Sequence, residues 1–140
     1  MQEGIGYAVM AETPIVVVDI QRVGPATGQA TRGATGDIMQ AWWGSHGDRP
    51  IIAISPWSVQ EAYDQTINAF NLAEKYRVPV IFLSEEAVAH LREIMVVQEG
   101  VEIFNRVKKP GAAPFGMKED DGVPPMPAFG EGEHLLVTAS

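Results

Sequence analysis

Three short apolar runs, each opening with a proline, most constrain the fold of this 140-residue chain. They span residues 14–20 (PIVVVDI), 50–54 (PIIAI) and 79–83 (PVIFL), and all are rich in β-branched side chains. Their hydrophobicity is continuous rather than alternating, which is typical of parallel strands that helices cover on both faces. Proline is tolerated at the first position of a strand. We therefore predict three buried parallel strands, each beginning at its proline.

The strongest helical pattern lies between the second and third runs. Ser58 and Glu61 have the spacing of a capping box, in which the serine side chain accepts a hydrogen bond from a free amide of the first turn. Six residues at helical spacing then predict an apolar face: Ala62, Thr66, Ala69, Phe70, Ala73 and Tyr76. Strand, long helix and strand form a βαβ unit.

Two weaker helices and a tail complete the predicted architecture. We expect a first helix over residues 2–11 and another that begins at Ser84, where two glutamates complement the positive end of the helix dipole. Residues 106–140 are rich in Gly and Pro, which predicts an extended connector with little regular structure. The predicted fold class is α/β, a parallel sheet with helices on both faces, plus an extended C-terminal tail.

The composition excludes several function classes. The 18 acidic and 10 basic residues give a formal net charge of −8, so there is no basic footprint for nucleic acid. No apolar run is long enough to span a membrane, and the first residues lack a signal-peptide pattern. Without cysteine, the chain cannot ligate an iron–sulfur cluster through its own thiolates. We expect a soluble cytoplasmic protein.

The loop after the first run is the best candidate for a binding site. Open α/β sheets bind ligands beyond the carboxyl ends of their strands, where residues 21–33 (QRVGPATGQATRG) are expected to lie. The guanidinium of Arg22 or of Arg32 could bind a carboxylate through two parallel hydrogen bonds. The alternative is a polar turn in which Gly and Pro only supply unusual backbone angles, and spacing alone favours it. No P-loop or complete dinucleotide-binding fingerprint is present.

Several linked motifs resemble the α subunit of the 2-oxoacid:ferredoxin oxidoreductases. In chain order they are residues 10–28 (MAETPIVVVDIQRVGPATG), Thr31-Arg32, Gly36-Asp37, residues 45–48 (SHGD), residues 58–62 (SVQEA), and residues 70–76 (FNLAEKY) leading to 78–80 (VPV). The resemblance runs from about Met1 to Arg92 and more loosely through the tail. It implies a thiamine-diphosphate pyrimidine-binding domain. Enzymes of this family decarboxylate a 2-oxoacid such as pyruvate or 2-oxoglutarate, pass electrons through iron–sulfur clusters to ferredoxin and release an acyl-CoA.

The resemblance also implies roles for residues of the loop. In the family, the arginine of the Thr-Arg pair binds the substrate carboxylate, and this role falls on Arg32 with Thr31 beside it. Four further residues would shape the loop near the cofactor and the substrate: Gly24, Pro25, Thr27 and Gly28. Neither a catalytic residue nor a metal ligand is assigned within the chain.

Much of the implied active site belongs to other segments or chains. A Tyr-Pro-Ile-Thr-Pro motif and a glutamate that activates the cofactor's aminopyrimidine lie upstream of the matching region in the family. We therefore expect an incomplete pyrimidine-binding domain in residues 1–105, and a connector toward a missing domain in residues 106–140. In two-subunit members, the Mg²⁺–diphosphate site and the iron–sulfur cluster are on the β subunit.

The implied partners follow from this division. Thiamine diphosphate would be shared with the β subunit, while CoA and ferredoxin would be met through the complex. We expect a homo- or hetero-oligomer, self-association through uncovered sheet surfaces, and no activity from the chain alone.

Other features leave alternatives open. His46 and Asp48 are too few for a metal site, and a turn before the next strand is favoured. Trp42 and Trp43 are adjacent and cannot both face one core, so one is expected to pack inward and the other to meet a partner, with core and interface interpretations evenly weighted. Two rival function classes are a non-catalytic α/β interaction module and a flavodoxin-like small-molecule binder.

Overall fold

A three-stranded parallel sheet forms the centre of the computed structural model, which describes residues 1–105 and Val123. The strands are β1 (Val16–Gln21), β2 (Ile52–Ile54) and β3 (Val80–Glu85), and their order in the sheet is β1-β3-β2. Both outer strands pair in parallel with β3. The predicted parallel α/β class is confirmed, whereas the predicted connector lies outside the described residues except for Val123.

Helices cover both faces of this sheet, as the buried strands required. They are α1 (Gln2–Met10), α2 (Ile38–Trp43), α3 (Val59–Tyr76) and α4 (Glu86–His90). On one face, α1 and α2 contribute Ile5 and Ala41 to a core with Ile81 and Leu83. On the other, α3 contributes Ala69 and Ala73 to a core with Val80 and Phe82. Within the described part of the chain, none of the helices has the length and hydrophobicity to cross a membrane.

Each strand begins after its proline rather than at it. Pro14 and Pro50 lie two residues before β1 and β2, and Pro79 lies one residue before β3. Because proline has no N–H to donate, the pairing starts from a later amide. The amide of Val80 donates to the carbonyl of Ile15 at 2.9 Å. The predicted strand starts are therefore wrong by one or two residues.

Only the central strand is buried along its length on both faces. In β3, residues 80–84 are all buried, whereas Val18 and Ile20 of β1 and Ala53 of β2 are exposed. The reason is geometric, since an outer strand of a three-stranded sheet has a neighbour on one side only and α3 packs mainly against β3. The prediction of complete burial is correct for β3 and wrong for the outer strands.

The long helix α3 begins where the capping pattern predicts. Ser58 Oγ accepts a hydrogen bond from the amide of Glu61 at 3.1 Å. The carboxylate of Glu61 accepts from the amide of Trp57 at 2.8 Å, one residue before the position that a reciprocal capping box requires.

The predicted apolar face of α3 is partly wrong. The small residues Ala69 and Ala73 are buried against the sheet, whereas Thr66, Phe70 and Tyr76 are exposed. Because Ala69 and Ala73 have small side chains, the backbone of α3 can lie close to the sheet. The larger side chains of the predicted face lie outside this contact.

The chain after β3 also differs from the prediction. β3 continues to Glu85, so α4 begins at Glu86 and not at Ser84. Residues 84 and 85 extend the strand because they still pair with β1. The side chain of Glu85 caps the helix by accepting a hydrogen bond from the amide of Ala87 at 2.8 Å.

Residues 91–105 form an extended segment along α3, which we call the strap. The carboxamide of Gln60 donates to the carbonyl of Val96 at 3.1 Å and accepts from its amide at 2.7 Å. Three helical turns further along, the carboxamide of Asn71 donates to the carbonyl of Glu102 and accepts from the amide of Phe104, both at 2.8 Å. Two side-chain amides on one helix therefore hold the backbone of the strap.

Candidate functional site

The loop over residues 22–37 leaves β1 at the carboxyl edge of the sheet and is fixed at both ends. Val23 and Gln29 form an antiparallel bridge, and the amide of Val23 donates to the carbonyl of Arg32 at 2.8 Å. The returning limb ends at Asp37, whose amide donates to Gln21 Oε1 at 3.2 Å. The sheet itself therefore positions this loop.

Two side chains at the carboxyl ends of β1 and β3, Gln21 and Glu85, contact the loop. Gln21 and Glu85 lie opposite each other in the strand pairing. Gln21 is 0% exposed, and its Nε2 has no hydrogen-bond partner among the described residues. Glu85 lies against Gly33, where an added Cβ would overlap its carboxylate. A side chain at position 33 would therefore require the carboxylate end of Glu85 to move.

From the sequence, Gln21 has no assigned role, and Glu85 is expected only to complement the dipole of a helix that begins at Ser84. The available signal was a polar residue shortly after each apolar run, Gln21 directly after residues 14–20 and Glu85 two positions after residues 79–83. It has no meaning until β1 and β3 are placed side by side.

Arg22 belongs to the internal structure of the loop. Its guanidinium donates to the carbonyls of Val23 at 3.1 Å and Ala26 at 3.2 Å, and to Thr27 Oγ1 at 3.3 Å. These bonds span the cis peptide between Gly24 and Pro25. Of the two arginines considered from the sequence, Arg22 makes three hydrogen bonds within the loop, whereas Arg32 makes one.

Arg32 presents its guanidinium on the exposed side of the same loop. Its Nη1 donates to Gln29 Oε1 at 3.2 Å, and the residue is exposed together with Thr31. A guanidinium has five N–H donors, so most of the planar fork is open to a ligand. The structure thus brings Thr31 and Arg32 together on the accessible surface at the carboxyl edge.

The four residues predicted to shape the loop are also exposed. Gly24 and Gly28 have open space where a Cβ would stand, so crowding does not explain either glycine. Thr27 uses its hydroxyl to accept from Arg22. Pro25 follows the cis peptide bond.

One carboxyl group near the start of the loop has an unusual pKa. Asp19 is half-buried on β1, and burial raises the pKa of its carboxyl above the ordinary 3.8, with the negative charge of Asp37 adding to the rise. Desolvation disfavours the charged form of an acid, and a like charge nearby acts in the same direction.

The segment that contains His46 and Asp48 forms a turn. Ser45 and Gly47 both have positive φ angles, 66° and 74°, while His46 and Asp48 are exposed. Across residues 1–105 and Val123, there is no group of three or more His, Asp or Glu side chains that could hold a metal ion. The turn interpretation therefore agrees with the structure.

Trp42 and Trp43 both point to solvent. They are 65% and 69% exposed, and their rings meet edge to face with centroids 6.1 Å apart. The prediction that one of them packs inward is wrong, because Ala41 is the residue of α2 that enters the core.

Fold and loop together define a parallel α/β domain with an exposed loop at the carboxyl edge of its sheet, and comparison with known proteins identifies its family. Residues 1–139 match the family described as "Pyruvate flavodoxin/ferredoxin oxidoreductase, thiamine diP-bdg". The chain belongs to this family, and the resemblance seen in its motifs is confirmed.

Relatives and a solved structure agree with this assignment. The chain is 54% identical to the 2-oxoglutarate synthase subunit KorA of Methanocaldococcus jannaschii and 53% identical to that of Methanothermobacter thermautotrophicus, over 99% of the chain in both. It spans 38% of the length of each of these two relatives. The 2-oxoglutarate:ferredoxin oxidoreductase of Magnetococcus marinus, solved with 2-oxoglutarate, coenzyme A and succinyl-CoA bound, matches with a TM-score of 0.80. That match has 36% identity and covers 96% of this chain and 25% of the other.

The loop residues fit an organic anion better than the metal-bound end of thiamine diphosphate. The loop, residues 22–37, contains two arginines and one acidic residue, Asp37 at its end. Mg²⁺ binds oxygen ligands, carboxylates above all. The loop therefore offers a Mg²⁺–diphosphate group a single carboxylate, whereas the exposed fork of Arg32 fits a carboxylate.

Proposed function

We propose that the chain is part of the α subunit of a 2-oxoacid:ferredoxin oxidoreductase, in which Arg32 binds the carboxylate of the 2-oxoacid, with Thr31 beside it. The enzyme would decarboxylate the acid oxidatively to an acyl-CoA and pass the electrons to ferredoxin. One observation supports the assignment of the site to Arg32. The guanidinium of Arg22 donates hydrogen bonds to carbonyls within the loop, whereas that of Arg32 donates one hydrogen bond to Gln29 and is otherwise exposed to solvent.

The chemistry of the substrate supports this choice of residue. A 2-oxoacid carries a planar carboxylate, and a guanidinium can bind it through two parallel charge-assisted hydrogen bonds. The names of the relatives favour 2-oxoglutarate over pyruvate, since both KorA proteins are called 2-oxoglutarate synthase subunits.

The proposed cofactor arrangement follows from what the loop offers. Thiamine diphosphate would lie between this chain and a β subunit, with Gly24, Pro25, Thr27 and Gly28 on its substrate side. The β subunit would supply the ligands of Mg²⁺ and the iron–sulfur cluster. The single carboxylate of the loop, at Asp37, and the absence of cysteine from the chain support this division.

A titration of the chain with 2-oxoglutarate tests the proposed site. Amide NMR shifts should concentrate in residues 22–33, and Arg32→Gln should weaken binding measured by calorimetry. Hydrogen bonds to a charged group contribute about 1.5–3 kcal/mol, so we expect a loss of about 10- to 100-fold.

The control for this titration is Arg92→Gln, which removes the same charge from an exposed position in the strap. Its affinity for 2-oxoglutarate should equal that of the unchanged chain. Equal weakening by both variants would show that only net charge matters, and shifts that avoid the loop would place the site elsewhere. Either outcome contradicts the assignment to Arg32.

A further inference from the structure

Gln21 is a polar side chain at a position that the fold buries completely. It is 0% exposed and is among the largest fully buried side chains of the described residues. Its Oε1 accepts a hydrogen bond from the amide of Asp37 at 3.2 Å, while its Nε2 has no partner within residues 1–105 and Val123. A buried donor without an acceptor costs stability. Packing alone would therefore favour an apolar side chain at position 21, and the observed contact that needs a glutamine is the one with Asp37.

The contact between Gln21 and Asp37 joins the two ends of the loop over residues 22–37. Gln21 is the last residue of β1, so the loop starts directly after it. Asp37 is the last residue of the loop and directly precedes α2. One side chain of the sheet therefore holds the returning end of the loop beside the point where the loop leaves the sheet.

The hydrogen bonds of Arg22, Val23 and Arg32 fix the internal shape of the loop. The guanidinium of Arg22 donates to three loop acceptors. The amide of Val23 donates to the carbonyl of Arg32 at 2.8 Å, and the amide of Arg32 donates to the carbonyl of Gln29 at 3.2 Å. Because both partners of each bond belong to the loop, these bonds do not by themselves fix its orientation on the sheet.

Arg32 lies on the limb that Gln21 holds. It precedes Asp37 by five residues, and the next residue, Gly33, lies against the carboxylate of Glu85 at the end of β3. The returning limb therefore meets the sheet at two places, the carboxylate of Glu85 and the carboxamide of Gln21. A guanidinium makes two parallel hydrogen bonds to a carboxylate only when its plane is correctly oriented, so displacement of the limb would weaken binding.

We propose that Gln21 is a positioning residue for Arg32. It ties the returning end of the loop to β1, and so sets the orientation in which Arg32 meets the carboxylate of the 2-oxoacid. This inference rests on the proposed function, which gives Arg32 its ligand. Gln21 acts from a fully buried position, without contact to the ligand.

Calorimetry of the 140-residue chain with 2-oxoglutarate tests the proposal. Gln21→Met keeps the length of the side chain and removes the carboxamide oxygen that accepts from Asp37. Binding should weaken about 5- to 10-fold, the loss expected for one hydrogen bond. In the matched control, Gln98→Met makes the same chemical change at an exposed position of the strap, and the affinity should stay unchanged.

A double-mutant cycle shows whether Gln21 acts through Arg32. Arg32→Gln removes the guanidinium, so a side chain that only positions this group has nothing left to position. Q21M/R32Q should therefore bind 2-oxoglutarate within about twofold of Arg32→Gln alone. Residues that act independently would instead add their effects on the affinity.

Two further measurements separate positioning from a general role in folding. The Tm of Gln21→Met should equal or exceed that of the unchanged chain, because the substitution also removes the unpartnered Nε2 from the interior of the described residues. Hydrogen exchange should become faster at the amide of Asp37 and change little at the amide of Val23, whose acceptor lies within the loop.

Three results would overturn the positioning role. They are an affinity of Gln21→Met equal to that of the unchanged chain, a loss of affinity from Gln21→Met that is as large with Arg32→Gln as without it, and a lowered Tm or an unfolded Gln21→Met chain, which would make Gln21 a structural residue. A failure of the proposed function would appear separately, since Arg32→Gln would then bind 2-oxoglutarate as tightly as the unchanged chain.

Discussion

The guanidinium of Arg22 bonds to three acceptors of its own loop, whereas that of Arg32 bonds to Gln29 and otherwise meets solvent. These contacts give the two side chains different energetic roles. Loss of Arg22 would release the loop backbone between residues 23 and 27. Loss of Arg32 would leave that backbone in place and remove a charge from the surface. A substitution of Arg22 is therefore expected to disturb the folding of the loop, and any loss of ligand binding that it causes would follow from that disturbance.

Position 32 could be chosen from the sequence only through the Thr-Arg motif of the family. Residue spacing alone treated both arginines alike, because hydrogen bonds within a loop depend on how its backbone folds. The contacts of Gln21 and Glu85 with the loop could not be predicted for the same reason, because these two residues become neighbours only when β1 and β3 pair.

The raised pKa of Asp19 predicts a pH-dependent stability. Its carboxyl binds a proton more tightly in the folded chain than in the unfolded one, so stability falls as pH rises from the ordinary value of 3.8 through the raised pKa. Asp19→Asn should therefore raise Tm at neutral pH. The gain should shrink as the pH falls to about 4 and the wild-type carboxyl becomes protonated. Thermal unfolding over a series of pH values measures this.

Glu99→Gln, at an exposed position of the strap, is the control for Asp19→Asn. It should shift Tm little, with no such pH profile. A Tm gain for Asp19→Asn that is the same at every pH, or a lower Tm at neutral pH, would contradict a destabilising charge at Asp19.

Among the elements, those with local signals were predicted most closely. α3 has its N-cap serine and a long pattern: it begins directly after Ser58 and ends at Tyr76, the last residue of that pattern. The start of α4 could not be predicted, because pairing with β1 extends β3 over residues that would otherwise suit a helix start. The exposure of Val18 and Ile20 depends on which element packs over an outer strand, and the local sequence pattern carries no information about that packing.

The strap supplies a prediction at the level of elements. Asn71→Ala removes both hydrogen bonds between its side chain and the strap backbone. The amide of Phe104 should then exchange with solvent about 5- to 10-fold faster, since a typical hydrogen bond contributes about 1 kcal/mol. The amide of Val96, held by Gln60, should change less.

Asn68→Ala is the matched variant, because the side chain of Asn68 donates to Gln65 within α3 and does not bind the strap. It should leave exchange at Phe104 unchanged. Equal exchange rates in Asn71→Ala and the unchanged chain would mean that the carboxamide does not hold the strap in solution.

At the scale of the whole molecule, the exposed features lie in separate places. The Arg32 loop occupies the carboxyl edge of the sheet, Trp42 and Trp43 are exposed on α2, and Val18 and Ile20 are exposed on an outer strand. The expected self-association stays a prediction, and Val18 and Ile20 are the residues we expect to drive it. The chain spans 38% of the length of its KorA relatives, so the reaction itself is proposed for an assembly and not for this chain.

We predict that the chain alone does not turn over 2-oxoglutarate. Its loop offers an exposed arginine, and the chain spans only 38% of the length of its KorA relatives. The chain should bind the acid without converting it when thiamine diphosphate, CoA and an electron acceptor are supplied. Steady reduction of the acceptor by the purified chain would contradict this.

The central claim is that Arg32 binds the substrate carboxylate, and steady-state kinetics of the assembled oxidoreductase test it most directly. With Arg32→Gln in the complex, the KM for 2-oxoglutarate should rise about 10- to 100-fold, as expected for the loss of charge-assisted hydrogen bonds. The complex with Arg92→Gln should keep the KM of the unchanged enzyme. A KM for Arg32→Gln that equals that of the Arg92→Gln control would contradict the account.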